Sequence, residues 1–260
     1  MRILFTMCGR AGSKGIKNKN IRDFVEKPLP YYTLSAIDLF LQKTVFEIQA
    51  DIVANSDSKE VLGLMKENPF MKVYCIERKK ELAGDAVGKI DVIRDCFYRM
   101  EAERKYEYDI VIDLDITSPL RTTDDIERLI ARHKETGADV TTAVVPARRN
   151  PYFNQVKKTE HGYKKVIESS YTARQQAPEI FDMNASLYAY APDYLKKGKG
   201  VLDGYCECIE MYDTGVLDLD HENDFELMEV LARYLFTKKV EFQRIYKNIL
   251  SKEFGGGTVK

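Results

Sequence analysis

The sequence predicts a doubly wound α/β fold built on a mainly parallel sheet. Three observations carry the prediction. Short apolar runs of strand character alternate along the chain with longer segments of helical periodicity. The first run, Arg2–Thr6, leads directly into Met7–Arg22, a turn punctuated by Gly9, Gly12 and Gly15. The 260 residues suffice to bury a sizeable core, as one large domain or one domain with an excursion.

Arg2–Thr6 has the composition of a buried first strand. Tyr31–Leu41 reads as a helix whose inner side, Leu34, Ile37, Asp38 and Leu41, mixes apolar and acidic character. Asp51–Asn55 is a short strand, and Asn55-Ser56-Asp57 offers a cap for the helix after it. Lys72–Ile76 is the next strand. Ile90–Tyr106 is a long helix, with Ile90, Ile93, Phe97 and Met100 sharing a face. Asp109–Leu114 is an apolar central strand with acidic flanks. Thr122-Thr123-Asp124-Asp125 opens a helix with hydroxyl caps and acids in its first turn, where the helix dipole favours them. Ile126, Leu129, Ile130 and His133 form its inward face, and Asp139–Pro146 is a further strand. From Ala147 to Asp182 the pattern turns polar, basic and aromatic with weak periodicity, an excursion too long for an ordinary loop. Val216–Asp220 reads as a strand with Asp218 and Asp220 on one face, since side chains alternate with period two. His221–Asp224 starts a helix that continues through Phe225–Phe236, and the chain closes in a glycine-rich tail. The expected organisation is a core of residues 1–146 and 183–250, an inserted arm of 147–182, and a flexible tail of 251–260.

Composition narrows the function. A formal net charge of −1 gives no general attraction to nucleic acid or to an anionic membrane, so an anion site must be a local concentration of cations. No apolar run approaches a membrane span, and the first six residues are too short for a secretory signal; the expected location is the cytoplasm. The five cysteines are odd in number and scattered, and Cys206-x-Cys208 lacks a second pair at zinc spacing. In a strand the two would share a face, where they pack as small apolar groups. His133, His161 and His221 form no metal signature.

The Met7–Arg22 turn is the local concentration of cations. Arg10, Lys14, Lys17, Lys19 and Arg22, with the hydroxyl of Ser13, stand among its glycines. Backbone amides freed by glycine and clustered cations together suit a polyphosphate. The spacing is neither that of a Walker A loop nor that of a dinucleotide-binding fingerprint. A solvated basic turn is the alternative reading.

Segment Gly9–Arg22 resembles the N-terminal signature of the CMP-sugar synthetases, cytidylyltransferases that activate acidic sugars such as sialic acids. Their Arg-Gly-Gly-Ser-Lys-Gly followed by Lys-Asn-Ile/Leu-Arg is matched at Arg10, Ser13, Lys14, Gly15, Lys19, Asn20 and Arg22. Later stretches extend the likeness in the family's order. Arg78–Asp85 resembles Arg-Pro-x-x-Leu-Ala-x-Asp, although Val87, Gly88 and Lys89 stand where the family has small hydroxyl residues. Thr117–Thr122 matches the Thr-Ser-Pro-Leu-Arg-Thr block, with Asp115 and Ile116 in place of Gln and Pro. Arg174-Gln175-Gln176 resembles the family's Arg-Gln-Gln or Arg-Gln-Glu, Asn184–Tyr188, the strand returning to the core, resembles its Asn-Gly-Ala-Ile-Tyr, and Val216–Asp220 resembles Ile-Asp-Ile-Asp-Thr.

The resemblance implies a Rossmann-like nucleotidyltransferase sheet with a dimerisation excursion, and attack of a sugar hydroxyl on the α-phosphate of CTP with loss of pyrophosphate. It assigns Arg10 and Lys14, with Ser13 and the Gly12 to Gly15 amides, to the triphosphate. Lys19, Asn20 and Arg78 go to the nucleotide, and Asp218 and Asp220 to Mg²⁺. Asp115, Thr117, Ser118, Arg174 and Asn184 fall to the sugar side, Arg174 as the cation for a carboxylate. Asp115 is equally a candidate metal ligand. Two acids foreign to the family, Asp115 and Asp182, point to a 2-keto-3-deoxy acid of eight or nine carbons other than plain N-acetylneuraminate. The arm would make the protein a homodimer. Competing readings are a nucleotidyltransferase of the same fold on another nucleotide or a neutral sugar, and a nucleotide-binding protein without turnover.

Overall fold

A computed structural model of the protein describes residues 1–12, 15–44, 47–84, 87–213 and 219–255. In chain order the elements are β1 (Arg2–Cys8), the two-residue strands β2 (Asp23–Phe24) and β3 (Lys27–Pro28), α1 (Leu29–Lys43), β4 (Gln49–Ser56), α2 (Lys59–Lys66), β5 (Tyr74–Glu77), α3 (Lys89–Arg104) and β6 (Ile110–Leu114). Then come α4 (Thr123–Thr136), β7 (Val140–Pro146), β8 (Val156–Thr159), β9 (Gly162–Lys165), β10 (Phe181–Tyr190), α5 (Pro192–Lys196), β11 (Cys206–Glu210), α6 (Glu222–Lys238) and α7 (Val240–Gly255). Seven strands form one sheet in the order β11-β7-β10-β6-β1-β4-β5. Only β10 runs against its neighbours, β6 and β7; the other ladders, β1 with β4 and β6, β4 with β5, and β7 with β11, are parallel. The doubly wound, mainly parallel sheet is therefore the one the sequence predicts.

Period-two alternation sorts the strand residues into two cores. Ile3, Phe5 and Met7, with Ile110, Ile112 and Leu114, face α1, α2, α4, α6 and α7. Leu4, Val53 and Val111 face α3 and α5 on the other side, against Ile93, Phe97, Met100 and Leu195. Asp113 and Thr6 take the α3 face by the same alternation, opposite one another across the β1–β6 ladder. The α4 start is a capping box: Thr122 Oγ1 accepts from the Asp125 amide, while Asp125 Oδ2 accepts from the Thr122 amide at 2.9 Å.

Three expectations change. The α2 cap is Ser58, whose Oγ accepts from the Val61 amide at 3.2 Å, because Asn55 and Ser56 are still engaged in the β4–β5 ladder. Leu219 and Asp220 lie in irregular backbone rather than in a strand, and the remainder of that segment, 216–218, is outside the described residues. The segment 251–255, expected as tail, is the last turn of α7. That helix is held to α1 by a Tyr32–Phe236–Tyr246 ring stack and by buried Ile245 and Ile249. The acidic residue on the inner side of α1 explains the rest: Asp38 accepts from Asn248 Nδ2 at 2.9 Å and pairs with Lys252 at 3.2 Å.

The excursion leaves the sheet after β7 and returns in β10. It carries the β8–β9 hairpin, which pairs only with itself. Val156 and Tyr163 on the hairpin are 58% and 70% exposed, and Ile167, Phe181 and Met183 are exposed beside it. The return strand is broken by a register shift between Met183 and Tyr188. At the break Ala185 is left-handed, with φ +52. A Cβ in that conformation costs about 1–2 kcal/mol, and Ala185 is exposed, so little packing offsets the cost. Ala185→Gly is expected to stabilise the fold by about 1 kcal/mol, a melting temperature about 2–4 °C higher by calorimetry; a lower value would show that the methyl contributes contacts outweighing the strain.

Candidate active site

The winding reverses beside β1: the chain fills β4 and β5 on one side, then crosses to β6 on the other. Open α/β sheets bind ligands outside the carboxyl ends of their strands at such a switch point. A cleft of about 790 Å³ lies there. Cys8, Gly9, Arg10, Gly15, Lys19 and Asn20 line it from β1 onward, Arg78, Val87 and Lys89 from the β5–α3 segment, Asp115 and Thr117 from the end of β6, and Asp220 and His221 from the approach to α6.

Two loops distant in sequence close on each other at its mouth. A Cβ on Gly15 would lie 1.6 Å from the Asp220 carbonyl oxygen, so only glycine lets the two backbones meet. Lys19 Nζ donates to the Leu219 carbonyl at 2.6 Å and lies 3.9 Å from Asp220 Oδ1. Arg22 pairs with Glu222 and stacks 4.1 Å from the centre of the Phe225 ring. Asn20 is buried and donates from Nδ2 to the Arg10 carbonyl at 2.9 Å, fixing the loop from within. Across the cleft Arg78 is held by Asn55, its Nε donating to Asn55 Oδ1 at 2.8 Å and its Nη2 to the Asn55 carbonyl at 3.1 Å.

The floor is an ion cluster. Lys89 Nζ lies 2.7 Å from Asp113 Oδ2 and 2.7 Å from Asp115 Oδ2. Asp113 is fully buried and takes the Thr6 hydroxyl on Oδ1 at 2.7 Å. Asp115 Oδ1 accepts from both the amide and the hydroxyl of Thr117, each at 2.7 Å. Burial opposes the Lys89 charge, but the carboxylates of Asp113 and Asp115 outweigh it and hold the ammonium well above its ordinary pKa. Burial likewise works to raise the Asp115 carboxyl; Lys89 and the Thr117 donors overcome it and bring it down to about 2. Beneath the cluster Arg121, 1% exposed, donates to the carbonyls of Asp115 and Ser186 at 2.9 and 2.6 Å and to Thr33 Oγ1 at 3.1 Å. Burial lowers its pKa to about 10, against the nearby carboxylates of Asp115, Asp125 and Asp113. The Cys8 thiol is pushed up by its hydrogen bond with Cys96 and by burial, which keeps it protonated and a poor nucleophile.

The cleft thus gathers Arg10, Gly15, Lys19, Asn20, Arg78, Asp115, Thr117 and Asp220 of the residues singled out in the sequence. Gly12 stands exposed, with open space where a Cβ would be. Ser13, Lys14 and Asp218 lie outside the described residues. Three of the sugar-side residues line no part of the cleft among the described residues. Ser118 Oγ donates to Ser186 Oγ at 2.9 Å, Arg174 Nη2 donates to the Ala147 carbonyl at 2.9 Å within the excursion, and Asn184 Oδ1 accepts from the Ser186 amide. Asp115, an acid foreign to the family at this position, is met by Lys89 at 2.7 Å. Sequence reasoning gave no place in the site to Lys89, Asp113 or Asn55. Two had a signal: a lysine opening a helix, where the dipole disfavours it, and an acid inside the Ile110–Leu114 strand.

A family described as Cytidylyltransferase matches residues 7–248. "Post-translational flagellin modification protein B" of Campylobacter coli is 33% identical over 231 residues, 89% of this chain and 95% of its own length. "CMP-N,N'-diacetyllegionaminic acid synthase" of Campylobacter jejuni is 34% identical over 229 residues, 88% of this chain and 94% of its own. Among solved structures, a CMP:2-keto-3-deoxy-manno-octonic acid synthetase complexed with CTP superposes with a TM-score of 0.65 at 17% identity, covering 90% of this chain and 99% of its own, a likeness of fold.

The lowered Asp115 pKa fixes a pH dependence. A carboxylate depressed in the folded state contributes stability above its unfolded pKa, near 4, and loses it as pH falls through about 2. The melting-temperature difference between the parent and Asp115→Asn is therefore expected to be full above about pH 4 and to shrink toward about pH 2. A difference constant across that range would show that the charge of Asp115 is not what it contributes.

Proposed function

The chain belongs to the cytidylyltransferase family, and on that premise we propose that it transfers CMP from CTP to an acidic 2-keto-3-deoxy sugar of the legionaminic or sialic type. The observation that carries the reading is the convergence of Arg10, Lys19, Arg78 and Lys89 on one cleft at the sheet's switch point, walled by the glycine-bearing turn. A sugar hydroxyl oxygen loses its proton to water and attacks the α-phosphorus; the new O–P bond forms as the bond from the α-phosphorus to the α,β-bridging oxygen breaks, and pyrophosphate departs with that oxygen. Such transfer needs positioning and charge neutralisation more than a covalent nucleophile, in keeping with the protonated state of Cys8.

Arg10, Lys14 and Ser13, with the amides from Gly12 to Gly15, take the triphosphate in this reading. Lys19, Asn20 and Arg78 hold the nucleotide, with Asn55 keeping Arg78 in place. Asp115 and Thr117 stand on the sugar side with Ser118 and Asn184 behind them, and Arg174 reaches a carboxylate from the excursion of a second copy. Asp220, an exposed carboxylate on the cleft wall, offers hard oxygens that fit Mg²⁺, a cation that takes one or two carboxylates and completes its shell with water and phosphate oxygens. Asp218 would join it. When bound, the metal supplies charge neutralisation at the phosphates. The exposed apolar residues of 147–182 fit a homodimer contact, and the cytoplasm supplies the setting.

Pyrophosphate release from CTP with a panel of nine- and eight-carbon acidic sugars is the test, with UTP, GTP and ATP as controls. Turnover confined to CTP and an acidic sugar is expected, and Asp220→Asn should reduce it by at least about 100-fold, the several kcal/mol that a lost metal contact costs. Equal turnover with another nucleotide, or none with any acidic sugar, would refute the reading. Light scattering at micromolar concentration should give twice the 30.0 kDa chain mass; a monomer would refute the dimer.

A further inference from the structure

Lys89 is placed against local preference. It is the first residue of α3, next to a Gly88 cap that makes no side-chain hydrogen bond, at the helix end where a cation is disfavoured. What holds it is the end of β6. Asp113 Oδ2 is buried, with the Lys89 ammonium against it at 2.7 Å. Asp115 spends Oδ1 on Thr117 and Oδ2 on Lys89. An ammonium has three protons; two face these carboxylates, and the side chain remains 33% exposed on the cleft wall. Arg121, buried beneath, bonds the Asp115 and Ser186 carbonyls and leaves both carboxylates to Lys89.

A structural role alone accounts poorly for this arrangement. Buried ion pairs seldom repay the desolvation of their charges, and apolar residues of similar volume are often at least as stable. Here the cation is turned to the cleft and the acids are behind or beside it. We propose that Lys89 is a substrate-binding cation of the transfer site, held in position by Asp113 and Asp115, and that its ligand is an anionic oxygen, either a phosphate oxygen of CTP or the carboxylate of the acceptor sugar. The inference rests on the transfer reading and adds a cation to it that the family-like motifs do not contain. It also gives Asp115 a definite part: the residue positions Lys89 and is not an open anion facing the sugar.

The test uses the full chain and the variants Lys89→Met, Asp115→Asn, Lys89→Met/Asp115→Asn and Lys89→Arg. Thermal unfolding, CTP affinity by calorimetry without sugar, and the kcat and KM for each substrate are measured. Lys89→Met should melt below the parent because it strands two acids. The double variant should recover part of that loss yet stay at least about tenfold down in kcat/KM, the size of one charge-assisted contact. Lys89→Arg should keep the stability and more activity than Lys89→Met. Weaker CTP binding with an unchanged sugar KM identifies the phosphate; an increased sugar KM with unchanged CTP binding identifies the carboxylate.

A double variant within threefold of the parent in kcat/KM and in CTP affinity would overturn the proposal, leaving Lys89 a structural counterion. If the Lys89→Met variants do not fold, amine acetylation of the parent read by mass spectrometry decides. Protection of Lys89 by CTP or by the sugar supports the proposal, and equal labelling with and without them overturns it. A parent that turns over no acidic sugar refutes the transfer reading instead, while the CTP affinity of Lys89→Met against the parent still reports on Lys89.

Discussion

The cleft depends on how β6 ends. Five residues of this central strand are fully covered, and period two forces Asp113 onto the α3 face beside Thr6. An acid there must meet a cation, and the start of α3 supplies Lys89. One residue past the strand, Asp115 turns back to the same ammonium while Thr117 covers its other oxygen. Arg121 then ties the following turn to Ser186 of β10 and to Thr33 of α1. A buried carboxylate is thereby linked to a helix terminus, a cleft cation and the turn that carries Thr117 and Ser118.

The opposite wall is governed by a close approach. The loop after β1 and the segment before α6 are about 200 residues apart, yet they share the Gly15–Asp220 contact, the Lys19–Leu219 hydrogen bond and the Arg22–Glu222 pair. The α6 helix is in turn fixed through Phe225 against Phe24, and through the Phe236 and Tyr246 rings against α1 and α7. The C-terminal helices therefore close the mouth of the cleft from behind, by packing rather than by chemistry. The antiparallel β10 does similar service beside β6: it lets the chain leave the sheet as the exposed excursion and return there, with Ser186 beside Ser118 and Arg121.

Much of this was determined by the sequence itself. The alternation of apolar runs and helical periodicity specifies the doubly wound sheet, because each pattern can bury its apolar side in only one kind of element. The α4 capping box and its inward Ile126, Leu129 and Ile130 are local chemistry, and they stand where the sequence places them. So does the glycine- and cation-bearing turn, since amides and charges suited to phosphate are contiguous in the chain. What only the tertiary structure decided are the relations between segments. Gly15 is required by a carbonyl more than 200 residues away. Arg78 is aimed by Asn55 of a neighbouring strand. The helix α7 is held by Asp38 and by rings from two other helices, so its last turn is invisible to local pattern. Lys89 and Asp115, read separately, are an odd cation and an odd acid; brought within 2.7 Å they neutralise each other. Periodicity and capping act over a few residues and are written in the chain, whereas the partner of a buried charge is chosen by the fold, at whatever sequence distance the sheet brings it near.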